Sequence, residues 1–159
     1  MVNFKVIEGL VVVKVLVIYD SRTGNTERLA QAIANGARKV SGVEVKLMKA
    51  RDAILDDMVK ADAYAFGSPS HFSIMSGEIL TMFTNFYPHR HKLAGKPACV
   101  FTTGSGGQVT ALENIEKILG AFNPKWVKPG IAVEGTPKSK DIEQAERLGE
   151  KLAKAAITK

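Results

Sequence analysis

Apolar residues along this chain recur with two different periods. Residues 11–18 form a Val-rich, β-branched run without strict alternation, which is typical of a strand buried on both faces of a parallel sheet. From Asn25 the period changes to three or four residues, so a single apolar stripe faces the sheet. The stripe consists of Leu29, Ile33, Ala37 and Val40. The pattern therefore predicts a strand followed by a helix.

The same order of strand and helix repeats down the chain. The further predicted strands are 43–48, 63–66, 97–102 and 131–133. The further predicted helices are 53–59, 108–122 and 139–157, together with one that begins at Ser76 and ends before Pro88. In the helix opened by Ser76, the predicted inner face is Ile79, Leu80, Phe83 and Phe86. Five strands alternating with helices predict an α/β three-layer sandwich with a five-stranded parallel sheet. Such sheets bind ligands beyond the carboxyl ends of their strands.

Composition narrows the chemistry that this fold can carry. The 159 residues are 45% apolar and 24% charged, which fits one folded domain over residues 1–159. The single cysteine, Cys99, excludes an internal disulfide and a Cys-rich zinc or iron–sulfur site, and we expect no bound metal. Cys99 lies in a predicted strand and is interpreted as a packing residue. Any electron-transfer chemistry therefore requires an organic cofactor.

The charge of the chain favours anionic partners. There are 22 basic and 16 acidic residues, a net charge of +6. The basic residues are spread along the chain except at 89–92, and no nucleic-acid-binding module is present, so we expect no nucleic-acid partner. The cluster at 89–92 is either a docking patch for an acidic partner or, as we favour, a solvated turn. No stretch has the length of a membrane span or the pattern of a signal peptide, which predicts a cytoplasmic protein.

The loop after the first strand is rich in hydrogen-bond donors. Its side chains and the N–H groups that open the next helix can converge on one phosphate, whose charge the helix dipole favours. A helix cap needs only one such residue, so a phosphate site explains the loop better than capping alone. No Gly-Lys-Ser or Gly-Lys-Thr follows, which excludes a P-loop. The predicted phosphate contacts are Ser21, Arg22, Thr23, Gly24, Asn25 and Thr26.

Residues 21–26, placed directly after a buried strand, resemble the loop that binds the phosphate of flavin mononucleotide (FMN) in the flavodoxin family. The family pattern is Ser/Thr-x-Thr-Gly-Asn-Thr. The resemblance extends over about residues 13–157 and implies the flavodoxin-like strand order 2-1-3-4-5, with FMN as cofactor. By the same resemblance, residues 1–12 are a possible amino-terminal extension. They either add an edge strand or lie upstream of the native start.

The loop after the third strand resembles the segment that wraps the isoalloxazine ring in flavodoxin-like quinone reductases. By this resemblance Phe72 packs on a ring face, although a core aromatic is the alternative. His71 is either a tunable positive charge near the ring or a surface histidine. Ser73 stands where the reductase pattern has Gly, so we expect positive φ to be costlier here. The predicted contacts are Ser68, Pro69, Ser70, His71, Phe72, Ser73 and Met75.

The loop after the fourth strand has three glycines in four positions. A Gly-Ser-Gly-Gly run alone is more often a flexible turn, and only its agreement with the other two loops makes it a candidate. In the family this loop brings backbone N–H groups to the carbonyl oxygens and pyrimidine edge of the ring. The predicted contacts are Thr103, Gly104, Ser105, Gly106 and Gly107.

The resemblance implies a redox protein in which the flavin supplies the chemistry, so no catalytic side chain is predicted. The short chain favours an electron carrier that serves redox partner proteins, acidic ones in particular. An NAD(P)H:quinone oxidoreductase is the alternative, because the Phe72 loop resembles the reductases. A non-enzymatic receiver-like signalling domain built around Asp20 and a nucleic-acid-binding module are remoter alternatives. The oligomeric state stays open.

Overall fold

The computed structural model describes residues 5–7 and 10–158. Residues 1–4, 8 and 9 lie outside the described residues, so the structure covers only part of the possible extension at residues 1–12. Within the described part, strand β1 (Lys5–Ile7) pairs antiparallel with the beginning of β2 (Leu10–Tyr19), with Lys5 opposite Val12.

The sheet has the predicted order. The remaining strands are β3 (Val43–Lys49), β4 (Ala63–His71), β5 (Ile74–Met75), β6 (Pro97–Gly104), β7 (Lys125–Trp126) and β8 (Ile131–Glu134). Parallel pairing runs β3-β2-β4-β6-β8, which is the order 2-1-3-4-5 and confirms the flavodoxin-like fold. The structure adds β5 and β7, which the sequence did not predict, and β1, since an additional strand was one of the two alternatives for residues 1–12. The fifth parallel strand consists of two pieces, because β7 and β8 both pair with β6 and residues 127–130 separate them.

Helices cover both faces of the sheet. They are α1 (Asn25–Arg38), α2 (Leu55–Lys60), α3 (Gly77–Phe86), α4 (Gln108–Leu119) and α5 (Ser139–Ile157), with 3-10 turns at Ala50–Asp52, Tyr87–Lys92 and Gly120–Phe122. α1 and α5 pack on one face, and α2, α3 and α4 pack on the other. Because side chains alternate along a strand, Val15 and Val17 enter the first core and Leu16 and Ile18 the second.

The predicted inner face of α3 is wrong at one position. Ile79, Phe83 and Phe86 are buried in the second core, but Leu80 is 42% exposed. Met82 is buried instead, at 3% exposure, and it completes the stripe with its neighbours three and four residues away. Leu80 lies beyond the edge of that stripe and faces outward.

α1 and α5 approach each other closely at two glycines. A Cβ atom on Gly36 would lie 1.9 Å from the carbonyl oxygen of Glu146, and one on Gly149 would lie 2.0 Å from the carbonyl oxygen of Ile33. The two helices can therefore make this contact only because neither position carries a side chain.

Cys99 lies inside the sheet at 1% exposure, and burial raises the pKa of its thiol to about 12. This agrees with its interpretation as a packing residue, because a reactive cysteine needs an accessible thiolate. Among the described residues, no helix combines the length and the hydrophobicity that crossing a bilayer requires.

Candidate functional site

Three loops meet at the carboxyl edge of the sheet because β2, β4 and β6 are neighbours. The phosphate loop (residues 20–26) follows β2, and its first N–H group, that of Asp20, donates to the Gly67 carbonyl at 3.0 Å. The ring hairpin (residues 68–76) is formed by the end of β4 and by β5. The glycine loop (residues 103–107) follows in β6, where Thr103 lies in register with Pro69. The structure thus brings the residues predicted from three separate segments to one place.

The amino terminus of α1 is an open set of donors. Gly24 is its N-cap in the left-handed conformation, at φ +93°, and no side chain caps the helix. The Gly24 N–H donates to Ser21 Oγ at 3.1 Å. In the described hydrogen bonds, the N–H groups of Asn25, Thr26 and Glu27 have no acceptor. These donors suit the dianionic phosphate of FMN, which a helix amino terminus favours.

The helices that begin at this edge are not all capped in the same way. The Ser76 side chain caps α3 by accepting from the Ile79 N–H at 3.5 Å. No side chain caps α1 or α4, whose N-cap residues are Gly24 and Gly107. Arg22 and Thr23 are both exposed on the phosphate loop, so the Thr23 hydroxyl is accessible to a ligand.

Thr26 has a different position from the one expected of a phosphate contact. Its side chain is 1% exposed, and its Oγ1 lies 2.7 Å from Oγ1 of Thr103, which is 4% exposed. The bond joins the phosphate loop to the glycine loop across a separation of 77 residues. Thr26 therefore offers its N–H to the site, while its hydroxyl holds two loops together.

Tyr19 and Glu27 form a contact that the sequence analysis missed. The Tyr19 hydroxyl donates to Glu27 Oε1 at 3.2 Å. Burial raises the pKa of Tyr19, and the bond to Glu27 raises it further. The contact ties the last residue of β2 to the first turn of α1, directly below the phosphate loop. Tyr19 and Glu27 lie eight residues apart in two different elements, and no sequence period predicts a contact between such residues.

The ring hairpin turns on two residues with positive φ. Ser70 pairs with Met75 and His71 with Ile74, so Phe72 and Ser73 alone form the turn. Their φ values are +54° and +64°, as in a type I′ turn, which normally contains Asn or Gly. This conformation costs a residue with a Cβ atom roughly 1–2 kcal/mol of free energy. The conformation expected to be costly at Ser73 is the one that the structure has.

Side chains of the hairpin point in opposite directions. Phe72 is 98% exposed, so it is not a core aromatic and is accessible to a flavin ring. Met75 is 3% exposed and packs in the second core, because alternation along β5 turns Ile74 outward and Met75 inward. The predicted contact at Met75 can therefore be made only through its backbone, which lies in the hairpin. Pro69, Ser70 and His71 are half-buried.

Ser68 supports the hairpin from within. It is fully buried, and its Oγ accepts from the Ser76 N–H at 2.8 Å and donates to the Pro69 carbonyl at 2.7 Å. The hydroxyl thus connects the two ends of the hairpin. Its effect on a ligand is the positioning of Pro69 and the turn.

The glycine loop packs directly on the ring hairpin. A Cβ atom on Gly107 would lie 2.5 Å from Ser73 Oγ and 2.8 Å from Ser70 Oγ, and one on Gly104 would lie 2.9 Å from Ser70 Cβ. Ser105 and Gly106 are exposed. The absence of side chains at positions 104 and 107 is therefore needed for the two segments to touch.

Two residues of α4 fix this arrangement, and sequence reasoning did not single them out. Gln108 Oε1 accepts from the Gly106 N–H at 2.8 Å. Asn114 Oδ1 accepts from the Met75 N–H at 3.2 Å, which anchors the hairpin to the helix. Both are polar residues of an amphipathic helix, and nothing in their local spacing distinguishes them from solvated residues, although Gln108 is only 8% exposed.

The fold and the site define an α/β protein in which three loops meet at the carboxyl edge of the sheet, beside the uncapped amino terminus of α1. A family model described as Flavodoxin matches residues 17–149. A flavodoxin of Aquifex aeolicus (strain VF5) is 34% identical over 157 residues, covering 88% of this chain and 85% of that protein. Quinone-oxidoreductase QR2 of Triphysaria versicolor is 31% identical over 195 residues, covering 92% of this chain and 95% of that protein.

A solved flavodoxin from the domain Archaea is 27% identical and superposes with a TM-score of 0.78, covering 91% of this chain and 99% of that one. The chain belongs to the flavodoxin family. It is an FMN-binding electron-transfer protein.

Proposed function

We propose that this chain carries electrons between redox partner proteins by means of FMN held at the carboxyl edge of the sheet, and that it does not itself turn over NAD(P)H and quinone. The observation that carries the proposal is the uncapped amino terminus of α1, with three N–H groups that lack an acceptor in the described hydrogen bonds. The isoalloxazine ring supplies the redox chemistry when FMN is bound.

The residues of each loop have separate tasks. The N–H groups of Asn25, Thr26 and Glu27 and the Thr23 hydroxyl would hold the phosphate. Phe72 and the backbone of Ser73 would bind the ring on the hairpin side. The backbone of the glycine loop would bind its polar edge. The hydroxyls of Ser68 and Thr26 keep these groups in position through the hydrogen bonds described above.

The carrier is favoured over the reductase by the length of the loops. A quinone reductase must build a second substrate site beside the flavin, which needs longer loops than those described here. The alignment with the reductase relative runs over 195 residues, whereas this chain has 159, so that relative contains positions without a counterpart here. The reductase remains the second candidate because the identity of 31% extends over most of both chains.

The charge of the chain indicates the kind of partner. The net charge is +6, and Arg22 and Arg28 are exposed on and beside the phosphate loop. Opposite charges on a partner increase the rate of encounter and orient it. We infer acidic redox partners, whose association slows as salt is added.

Turnover distinguishes the two candidates. The purified chain is loaded with FMN, and oxidation of NADH or NADPH is followed with benzoquinone present. We expect no rate above that of free FMN, whereas holoprotein reduced anaerobically with dithionite passes its electrons to ferric cytochrome b5, an acidic protein. Turnover on the order of 10 per second, the middle of the enzyme range, would instead identify a reductase.

Thr23→Ala tests the phosphate contact. One charge-assisted hydrogen bond contributes about 1.5–3 kcal/mol, so FMN should bind at least about tenfold more weakly and riboflavin with unchanged affinity. The matched control is Thr84→Ala, an exposed threonine on α3 whose hydroxyl donates to its own helix. Equal weakening of FMN and riboflavin by Thr23→Ala would show that this hydroxyl does not contact the phosphate.

A further inference from the structure

An apolar groove lies on the outer face of α3 and α4, away from the three loops. It encloses about 420 Å³ and is lined by Leu80, Phe83, Tyr87, Pro88, Ile118 and Phe122, among others. None of its lining residues carries a charge. The volume is in the range of protein binding pockets.

Aromatic rings form the floor of this groove, which we call the α3–α4 groove. The ring centroids of Phe83 and Phe122 are 5.7 Å apart, and those of Tyr87 and Phe122 are 6.2 Å apart with an edge-on geometry. Phe83 and Phe122 are nearly buried, so they fix the floor rigidly. Leu80 and Tyr87 form the walls and are 42% and 47% exposed. Two large apolar side chains along α3 and the turn after it are therefore partly exposed to water beside a rigid floor.

One end of the α3–α4 groove is basic. The Arg90 guanidinium lies 4.2 Å from the centre of the Tyr87 ring, and its Nη1 donates to the Tyr87 carbonyl at 3.0 Å. Lys92 is exposed on the same 3-10 turn, and Lys117 is exposed one turn before Ala121, which also lines the groove. In the described part of the chain, none of the ion pairs includes Arg90, Lys92 or Lys117. The segment 89–92 is a solvated turn, as expected, and its Arg90 side chain is held against a residue that lines the apolar cleft.

We propose that the α3–α4 groove binds an acidic amphipathic helix of a partner protein. The exposed surfaces of two neighbouring helices leave a furrow into which the apolar stripe of a third helix fits. Carboxylates that flank the stripe near one end of that helix reach Arg90, Lys92 and Lys117, none of which has an ion-pair partner in the described part of the chain. The guanidinium held against Tyr87 is pre-oriented for such a carboxylate.

This contact is separate from the flavin site. The three loops lie at the carboxyl edge of the sheet, whereas the groove opens on the outer side of the helices and is continued by the turn after α3. A partner bound there leaves the ring hairpin accessible. The groove would therefore hold a partner near the protein while the flavin edge exchanges electrons, and its occupation does not depend on FMN.

Fluorescence anisotropy with a designed probe tests the proposal. The probe is a fluorescein-labelled peptide of about 14 residues with Leu at helical spacing on one face and Glu at the positions that flank this face. Two control peptides have the same composition in scrambled order and Lys in place of Glu. We expect micromolar binding of the patterned acidic peptide alone. Equal binding of the scrambled peptide would show that the net positive charge of the chain alone attracts the peptide, and this would overturn the proposal.

Variants locate the binding. Leu80→Glu should weaken the peptide at least about tenfold, because it places a charge in the apolar cleft. Ile54→Glu is the matched control, an apolar residue of similar exposure at 59% that lies outside the groove. Arg90→Glu should weaken the peptide more than Arg147→Glu, which changes the net charge equally on α5. An unchanged affinity in Leu80→Glu or Arg90→Glu would overturn the proposal.

Two further measurements show whether a loss of peptide binding arises from misfolding or from a change at the flavin site. FMN affinity should be unchanged in Leu80→Glu and Arg90→Glu, and the urea midpoint should be unchanged in Leu80→Glu. Sedimentation velocity shows whether a second copy of the chain occupies the groove. Self-association that Leu80→Glu abolishes would identify that copy as the occupant and would overturn the proposed partner.

Discussion

The hydrogen bond between Thr26 and Thr103 predicts a measurable coupling between two loops that lie far apart in the sequence. Replacing either threonine with valine keeps the shape of the side chain and removes its hydroxyl. The hydroxyl that remains lies in a site of 1% or 4% exposure, where water cannot replace the lost partner. A double substitution removes both hydroxyls and leaves no unsatisfied group.

The magnitudes follow from the burial of this pair. Leaving one buried hydroxyl without a partner costs about 1–3 kcal/mol, whereas replacing both partners with apolar groups of the same shape is nearly neutral. We therefore expect Thr26→Val and Thr103→Val each to lower the free energy of unfolding by about 1–3 kcal/mol. The double variant should lose no more than the larger single loss, which gives a coupling energy of at least about 1 kcal/mol.

Urea unfolding of the four proteins without FMN provides the double-mutant cycle, and Thr84→Val controls for the substitution itself on an exposed helix position. The FMN affinity of the single variants adds a second readout. Thr103 lies outside the phosphate loop, yet Thr103→Val should weaken FMN more than riboflavin, because Thr103 positions the loop through Thr26. Additive losses in the cycle would refute the coupling.

Three further predictions concern stability. Gly36→Ala should lower the free energy of unfolding by roughly 1–3 kcal/mol or more, because its Cβ atom would lie 1.9 Å from a carbonyl oxygen of α5. The control is Gly120→Ala, where the new Cβ atom would have no neighbour within 4 Å. In urea unfolding it should change the free energy by less than about 0.5 kcal/mol. Ser73→Gly should raise the free energy of unfolding by roughly 0.5–1 kcal/mol, because it removes a positive-φ penalty at the cost of backbone entropy; a loss in the same assay would contradict this. Burial raises the pKa of Cys99 from 9.0 to about 12, so the unfolded thiol ionises first, and stability should fall as the pH rises from 9 toward 12. Cys99→Ala should show a smaller fall, and an identical slope would contradict the assignment.

The fold class was predictable because it depends on features that act along the chain. Apolar runs, helical stripes and the rule for parallel sheets are enough to give a three-layer sandwich and to place three loops at one edge, whereas the order 2-1-3-4-5 came from the resemblance to the flavodoxin family. The additional strands were not predictable from the same features. The turn of the ring hairpin has Phe72 and Ser73 in place of Asn and Gly, so the usual hairpin signal is absent. β7 has only two residues and gives no period.

The candidate site was predictable at the level of segments and less so at the level of side chains. The open amino terminus of α1 follows from the sequence of residues 20–26, and Gly24 has the positive φ that its position in the loop requires. The directions of Thr26 and Met75 depend on contacts with other segments, such as Thr103 and the second core. Contacts between distant segments cannot be predicted from the spacing of residues within one segment. Asn114 was missed for the same reason.

The most direct test of the account is isothermal titration of the chain with FMN and with riboflavin. The two ligands share the ring and differ in the phosphate, so the ratio of their affinities measures what the amino terminus of α1 contributes. Two charge-assisted hydrogen bonds to the phosphate predict FMN binding about 100-fold tighter than riboflavin or better. Equal affinities, or no binding of either ligand, would contradict the claim that this helix terminus holds the phosphate of FMN.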